Sequence, residues 1–238
     1  MVSIAGSKKL KRQMAPQFWG IARKDKRFII TTRPGPHKKN YAIPTAVFLR
    51  DTLKIVSSLR EAKASIYSGK VKIDGVVRKS LHHAIGLMDV IELENVSDIY
   101  RLVPTEGKIL KPIKITDAEK SKKLVRIVTK TTINKGKTQT GFHDGRSTLA
   151  EVNGKVGDTC VMQIPDQKVL EVIKLEAGCQ GLVTRGINAG QIGKVESVEE
   201  GTFILPKRVI LILGDRKIEI PADVIMPIGK EEPVIQLK

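Results

Sequence analysis

The sequence predicts a multidomain α+β chain in which a basic, extended N-terminal arm leads into a small α/β unit and then into β-rich units. Three observations predict it. Thirteen of the first 54 residues are Lys or Arg and only Asp25 and Asp51 are acidic, so this stretch carries +11 of the formal net charge of +17. Apolar residues recur at helical spacing only between about positions 44 and 66. From Ile99 onward, short β-branched runs cut by Gly, Pro and Asp replace that period. At 238 residues the chain has room for one large unit or two to three small ones.

The arm, residues 1–42, reads Lys8-Lys9-Leu10-Lys11-Arg12, then Arg23-Lys24-Asp25-Lys26-Arg27, then Arg33-Pro34-Gly35-Pro36-His37-Lys38-Lys39, with Phe18, Trp19 and Phe28 between the clusters. Concentrated cations attract a polyanion because each neutralised phosphate releases condensed counterions. Nucleic acid is therefore the leading partner. A disordered solubilising tail is the plainer reading, but such tails are poor in aromatic residues. A membrane surface calls for an amphipathic helix, which the prolines and scattered apolar residues here do not build. Trp19 suits either stacking on an unpaired base or burial as an anchor. His37, after Pro-Gly-Pro, is placed to meet a phosphate.

The next unit, residues 43–104, opens on Pro44 with Ala46, Val47, Leu49, Leu53, Ile55 and Val56 at near-helical spacing through Ser57. A second helix starts at Ser58, three residues before Glu61, as a capping box, sends Leu59, Ala62 and Ile66 to the core, and stops at Gly69. Val71 to Val77 carries two β-branched runs around Asp74-Gly75, the signal of a type I′ hairpin. A further strand runs from Asp89 to Leu93. Arg60 and Lys63 share one helix face, and Lys70, Lys72 and Arg78 extend that basic surface, which suits either RNA phosphates or plain solvation.

Strands are expected at 123–133, 159–164 and 169–174 in a central unit (105–177), with one helical turn at 118–122. A last β unit covers 178–238 and contains Gly181 to Val195, where Gly190 and Gly193 supply positive φ and close backbone approach, and Asn188, Gln191 and Lys194 are the polar candidates for contact. Cys160 and Cys179 have no companions for a zinc ribbon or disulfide framework and read as buried small hydrophobes. No run approaches the ~20 apolar residues of a membrane span, and an intracellular protein is expected. Gly136-Lys137-Thr138 lacks the earlier glycine of a phosphate loop, and the glycines at 186, 190 and 193 lack dinucleotide-fingerprint spacing. No catalytic, metal or cofactor site is expected.

Ser58 to Gly75 resembles the S-four RNA-binding domain in its Arg60, Ala62, Gly69 spacing and its Val71, Ile73, Asp74, Gly75 ending. Gly181 to Val195 resembles a KOW motif, which implies a C-terminal SH3-like β-barrel. Leu10-Lys11-Arg12, Ala15-Pro16, Trp19, Gly35-Pro36-His37-Lys38, Pro44 and Leu49-Arg50 resemble the opening of the S-four-e family of small-subunit ribosomal proteins, as do His143-Asp144-Gly145-Arg146, Gly157-Asp158-Thr159 and Leu182-Val183-Thr184 further on. Lys9 stands where the family commonly has His, and the region from Phe203 matches loosely, leaving residues 231–238 without a role.

The resemblance implies a structural constituent of the small (30S) subunit, archaeal in type and cytoplasmic, that binds 16S rRNA. Neighbouring ribosomal proteins are its other partners, with no DNA, membrane or second copy. It weights Lys8, Lys9, Lys11, Arg12, Trp19, Arg23, Lys24, Arg33, His37, Lys38, Lys39 and Arg50 of the leading stretch toward RNA. It does the same for Arg60, Lys63, Lys70, Lys72 and Arg78, and for Asn188, Gln191 and Lys194. The alternative is a free S-four-domain RNA-binding or RNA-modifying factor.

Overall fold

The computed structural model describes residues 9–94, 96–105, 108–133, 136–214 and 216–237. It is mostly β sheet, and α-helix among the described residues is confined to Thr45–Val47 and Leu59–Tyr67. Lys8, expected to touch RNA, lies outside the described residues.

The stretch expected to be extended is folded from residue 9. Strand β1 (Lys9–Lys11) pairs antiparallel with β2 (Phe28–Ile30), and two 3-10 turns, Arg12–Met14 and Gln17–Trp19, occupy the connection. The apolar residues that interleave the cations drive this, because Leu10, Trp19 and Ile29 enter the same core as Ile43, Phe48 and Ile66. Trp19 is 2% exposed and its Nε1–H donates to the Ala42 carbonyl at 2.9 Å. Arg12 is buried too, donating to the Ala22 carbonyl at 2.8 Å with Asp25 at 3.7 Å.

Strand β3 (Ile43–Pro44) pairs with β6 (Ala84–Ile85). The helix expected from Pro44 to Ser57 is cut short: α1 (Thr45–Val47) passes into one π-helical turn over Phe48–Thr52, and Lys54 then takes φ 57°. Thr45 to Leu49 are buried on every side, so packing fixes this segment rather than helical period. Helix α2 (Leu59–Tyr67) is capped as expected, with Ser58 Oγ accepting from Glu61 N–H at 3.2 Å. Glu61 reaches back to the Ser57 N–H at 2.9 Å instead of to Ser58. Ala62 and Ile66 are buried, but Leu59, at the first turn, is exposed.

Strands β4 (Val71–Ile73) and β5 (Val76–Val77) flank Asp74 at φ 52° and Gly75 at φ 74°, the two left-handed residues that a type I′ turn requires. They belong to a five-stranded sheet ordered β5-β4-β7-β8-β9, with β7 at Val90–Leu93, β8 at Ile99–Thr105 and β9 at Lys108–Ile115. The border expected at 104/105 therefore falls inside the β8/β9 hairpin, whose two strands pair from Ile99↔Ile115 to Thr105↔Lys108.

A second five-stranded sheet is ordered β12-β11-β10-β13-β14, comprising β10 (Lys122–Thr132), β11 (Thr138–Phe142), β12 (Ser147–Thr148), β13 (Thr159–Gln163) and β14 (Lys168–Ile173). The long β10 pairs with β13 up to Arg126 and with β11 from Ile127 onward. Residues 117–121 form turns and not the expected helical turn. The third sheet is ordered β18-β17-β16-β15-β19, from β15 (Gln180–Val183), β16 (Ile192–Glu199), β17 (Arg208–Leu213), β18 (Arg216–Pro221) and β19 (Ile225–Gly229). Gly190 has the expected positive φ, +83°, but a Cβ there would lie 2.5 Å from Thr105 Cα, so its close approach is to the first sheet. Gly193 has no positive φ, and it is needed because a Cβ would meet Ile212 O at 2.6 Å.

One apolar core runs through all three sheets, from Met88 and Val103 through Leu124 and Val161 to Leu182 and Met226. The C-terminal segment closes it. Ile235 and Leu237 are buried there and Val234 N–H donates to Ile228 O at 2.9 Å, which gives the residues left without a role a structural one.

A buried ionic cluster joins the units. Lys123 Nζ, inside β10, lies 2.7 Å from Asp74 Oδ2, 2.6 Å from Asp89 Oδ1 and 3.2 Å from Asp144 Oδ2. Arg146 adds contacts to Asp74 at 2.7 Å and Asp144 at 3.4 Å. Backbone donors take the remaining oxygens: Val90 N–H gives to Asp74 Oδ1 and Gly86 N–H to Asp89 Oδ2. Burial opposes charge on Lys123, but the three carboxylates outweigh it and hold the ammonium above its ordinary value. Lys123→Met leaves three buried carboxylates short of a cation and is expected to cost roughly 3–5 kcal/mol. Urea unfolding followed by circular dichroism checks it, and a loss under about 1 kcal/mol would remove the cluster's structural role.

Candidate nucleic-acid interface

The predicted basic residues divide into four groups. Lys9, Arg23 and Lys24 are exposed on the β1/β2 hairpin and its connection, and Lys11 is half-buried. Arg12, expected to meet RNA, instead holds that connection to the body, and Trp19, open between base stacking and anchoring, takes the anchoring role, each through the hydrogen bond given above. On the helix-and-hairpin unit, Arg60, Lys63, Lys70 and Lys72 face solvent and Arg78 is half-buried. Lys63 Nζ sits 5.6 Å from the Tyr67 ring centroid, while Arg50, half-buried, is paired with Asp51 at 2.6 Å. On the third sheet, Arg216 donates to Asn188 Oδ1 at 3.5 Å and Gln191 Oε1 at 3.0 Å. Lys194 is exposed beside a groove of about 350 Å³ that Lys230 and Glu231 also line.

His37 does not face outward. It is 8% exposed, and its Nε2–H is shared between the two oxygens of Asp89, each at 3.0 Å. Two glycines make room for this docking. A Cβ at Gly86 would overlap the His37 ring, and at Gly145, φ +75°, it would come within 3.0 Å of Pro36 O. The Pro-Gly-Pro-His turn is thus locked against the body. Burial alone would raise the Asp89 carboxyl, but His37 and Lys123 outweigh it and hold it well below the usual range.

That docking leaves Arg33, Lys38 and Lys39 exposed along the wall of a cleft of about 820 Å³. Its opposite wall carries two cations that sequence reasoning missed. Arg126, in β10, spends Nη1 on the Asp223 carbonyl at 2.6 Å and Nη2 on the Ala222 carbonyl at 3.1 Å. Arg185, just past β15, pairs with the Asp223 carboxylate at 2.8 Å and donates to Tyr41 Oη at 3.1 Å. The available signal was a charge inside the apolar run Leu124-Val125-Arg126-Ile127-Val128, where an unpaired guanidinium could not be buried.

Behind Arg126 lies His143. Its Nδ1 accepts from the Arg126 N–H at 3.0 Å and its Nε2–H donates to Leu87 O at 3.3 Å, an arrangement that suits the neutral ring. Burial, assisted by His37 and Lys123 and opposed by Asp144, pushes the His143 pKa down to about 4. Among the described residues, no group of three or more His, Cys, Asp or Glu is arranged to hold a metal ion. Cys160 and Cys179 are both buried free thiols.

Comparison with known proteins decides the family. Residues 96–169 match the model for the Ribosomal family S4e, and residues 5–40 match that for the RS4NT (NUC023) domain. The chain is 37% identical to small ribosomal subunit protein eS4 of Staphylothermus marinus over 249 aligned positions, covering 100% of this chain and 98% of that protein. It is equally 37% identical to the eS4 protein of Methanothermobacter thermautotrophicus, with the same coverage. The chain belongs to the S4e family. The crystal structure of the 30S ribosomal protein S4e from Thermoplasma acidophilum superposes with a TM-score of 0.68 at 29% identity, over 81% of this chain and 97% of that one. His37 falls in the RS4NT match and Lys123, Asp144 and Arg146 in the S4e match, while Asp74 and Asp89 lie between the two.

The depressed His143 sets a pH dependence. The unfolded ring binds its proton near ~6.5 and the folded ring only near 4, so this contribution is complete above ~6.5 and is lost as pH falls toward 4. Asp74, held above its ordinary value by burial, acts in the opposite direction, so the His143 share is read as a difference between proteins. Unfolding free energies from urea titrations at pH 7.5, 5.5 and 4.5 should decline for wild type by on the order of 3 kcal/mol more than for His143→Gln. Parallel declines would show that the ring titrates normally.

Proposed function

We infer that this chain is a structural constituent of the small ribosomal subunit, working in the cytoplasm, and that it binds and stabilises small-subunit (16S) rRNA without catalysing a reaction. The observation that carries the reading is similarity along the entire chain to proteins named for that subunit, archaeal ones among them. The geometry agrees with it. Cations project from the β1/β2 hairpin, from α2 and from strands β4 and β16, and Trp19, Arg12 and His37 hold the N-terminal ones in place from buried positions.

In this reading Lys8, Lys9, Lys11, Arg23, Lys24, Arg33, Lys38 and Lys39 meet phosphates from the N-terminal segment. Arg60, Lys63, Lys70, Lys72 and Arg78 form a second RNA-facing surface on an S-four module. Residues 178–238 form a KOW-type barrel module presenting Lys194, with Asn188 and Gln191 next to it, and neighbouring ribosomal proteins cover other faces. The units are the N-terminal segment, the S-four module extended through β9, the β10–β14 unit and the KOW unit. Because residues 9–42 are folded on the body, their cations bind without a large ordering cost.

Two measurements test this. In a sucrose gradient of native lysate, the protein should travel with small subunits through moderate salt; recovery only in the soluble top fractions would sink the reading and favour a free RNA-binding or RNA-modifying factor. Replacing Arg23 and Lys24 together by Gln should reduce the slope of log affinity against log salt by about 1.5, at ~0.7–0.9 per phosphate contact. An unchanged slope would take this loop off the RNA.

A further inference from the structure

The cleft between the docked N-terminal segment and the second and third sheets has a composition that phosphate binding alone does not explain. Five cations line it, Arg33, Lys38, Lys39, Arg126 and Arg185, against the single carboxylate of Asp223. Its floor is apolar, with Leu87, Phe142 and Met226. A surface that only tracks a backbone gains nothing from such a floor. Its volume, about 820 Å³, lies in the ~300–1,000 Å³ range of pockets that enclose a small molecule.

Tyr41 supplies the third feature. Its ring lines the cleft, 36% exposed, and is held by Arg185, whose guanidinium stands 5.0 Å from the ring centroid and bonds the hydroxyl. Arg185 is fixed in turn by Asp223, and Arg126 by the carbonyls of Ala222 and Asp223, so both cations are positioned before any ligand arrives. We propose that this cleft seats an unstacked nucleotide of the bound RNA, its base on the apolar floor against Tyr41 and its flanking phosphates on Arg33, Lys38 and Lys39.

The proposal rests on the RNA-binding reading above and goes beyond it by naming what enters the cleft. A nucleotide joins a flat face able to stack with an anionic tether, and that pairing matches an aromatic wall over an apolar floor with a basic rim. A duplex is too wide to enter. An acidic peptide would satisfy the rim but would leave backbone amides against the apolar floor without partners, which is costly.

The full-length protein is titrated with two RNA strands of eight residues, oligouridylate and the same sugar-phosphate chain lacking bases, whose charges are equal. Wild type should bind the strand with bases about tenfold more tightly, and Tyr41→Leu should remove most of that preference while leaving the abasic strand within about twofold, whereas Arg185→Gln should weaken both strands, the one with bases more. Equal binding of the two strands by wild type, or a preference that survives Tyr41→Leu, overturns the proposal. An eight-residue glutamate peptide that displaces the RNA with higher affinity than the oligouridylate's also overturns it, in favour of an acidic protein tail. If duplex RNA still binds with the salt dependence given above when the base preference is absent, only this inference fails. If neither strand nor duplex binds, the RNA-binding reading fails with it.

Discussion

A single ammonium group organises this molecule. Lys123 projects from the most central strand of the second sheet into a site with no water-facing side, where three carboxylates close around it. Each carboxylate comes from a different turn: Asp74 from the β4/β5 turn, Asp89 from the turn before β7, and Asp144 from the turn after β11. Removing charges from water is expensive, and a cluster of this kind contributes little net stability compared with an apolar filling of the same shape. Its stronger effect is on arrangement. A shift of any of the three turns would leave a buried charge unmatched, so the cluster penalises every alternative docking of the first sheet on the second.

The N-terminal segment is held to the same centre. His37 gives its Nε2–H to Asp89, which already accepts from Lys123, and Gly86 and Gly145 remove the side chains that would keep the turn away. Trp19 and Arg12 hold the preceding stretch. A segment with this much positive charge repels itself, and without such anchors it would be extended and mobile. With them, the cations between Arg23 and Arg27 sit on a short loop between fixed ends. The ordering entropy is met during folding, and less of it opposes binding.

The sequence signals that worked were local. The capping box of α2, the Asp-Gly turn and the β-branched runs of the second sheet each depend on neighbours within a few residues, and each is where it was expected. What was hidden was long-range pairing. Asp74 read as a turn former, and it is one, but its carboxylate also lies against a lysine 49 positions away. Lys123 and Arg126 sit in a run that reads as an ordinary β-branched strand, and although a charge within it signals a partner, it does not say which distant group that partner is; His143 stands in the turn after β11, where the sequence shows a motif but not its contacts. Arg12 and His37 misled in the opposite way, because residue types suited to RNA contact are equally suited to anchoring a basic segment; Trp19, open between the two uses in the sequence, is an anchor. The difference lies in burial, which a one-dimensional charge pattern does not carry. The C-terminal strap is similar: Ile235 and Leu237 are too few to form an element, and only the existing core gives them a place.

The junction and the cleft are also physically continuous. His143 stands between them, its ring 6.1 Å from that of His37 on one side, while on the other its Nδ1 holds the Arg126 amide. A protonated His143 could not accept that hydrogen bond, so the neutral ring that burial enforces is also what fixes β10 where Arg126 enters the wall. Arg126 then holds the carbonyls of residues 222 and 223, and Asp223 holds Arg185 against Tyr41. This chain of contacts runs from the buried carboxylates out to the exposed Asp223–Arg185 pair at the cleft rim. Charges chosen for the interior therefore determine where charges at the surface stand, and the cleft keeps its shape only as long as the ionic centre behind it is intact.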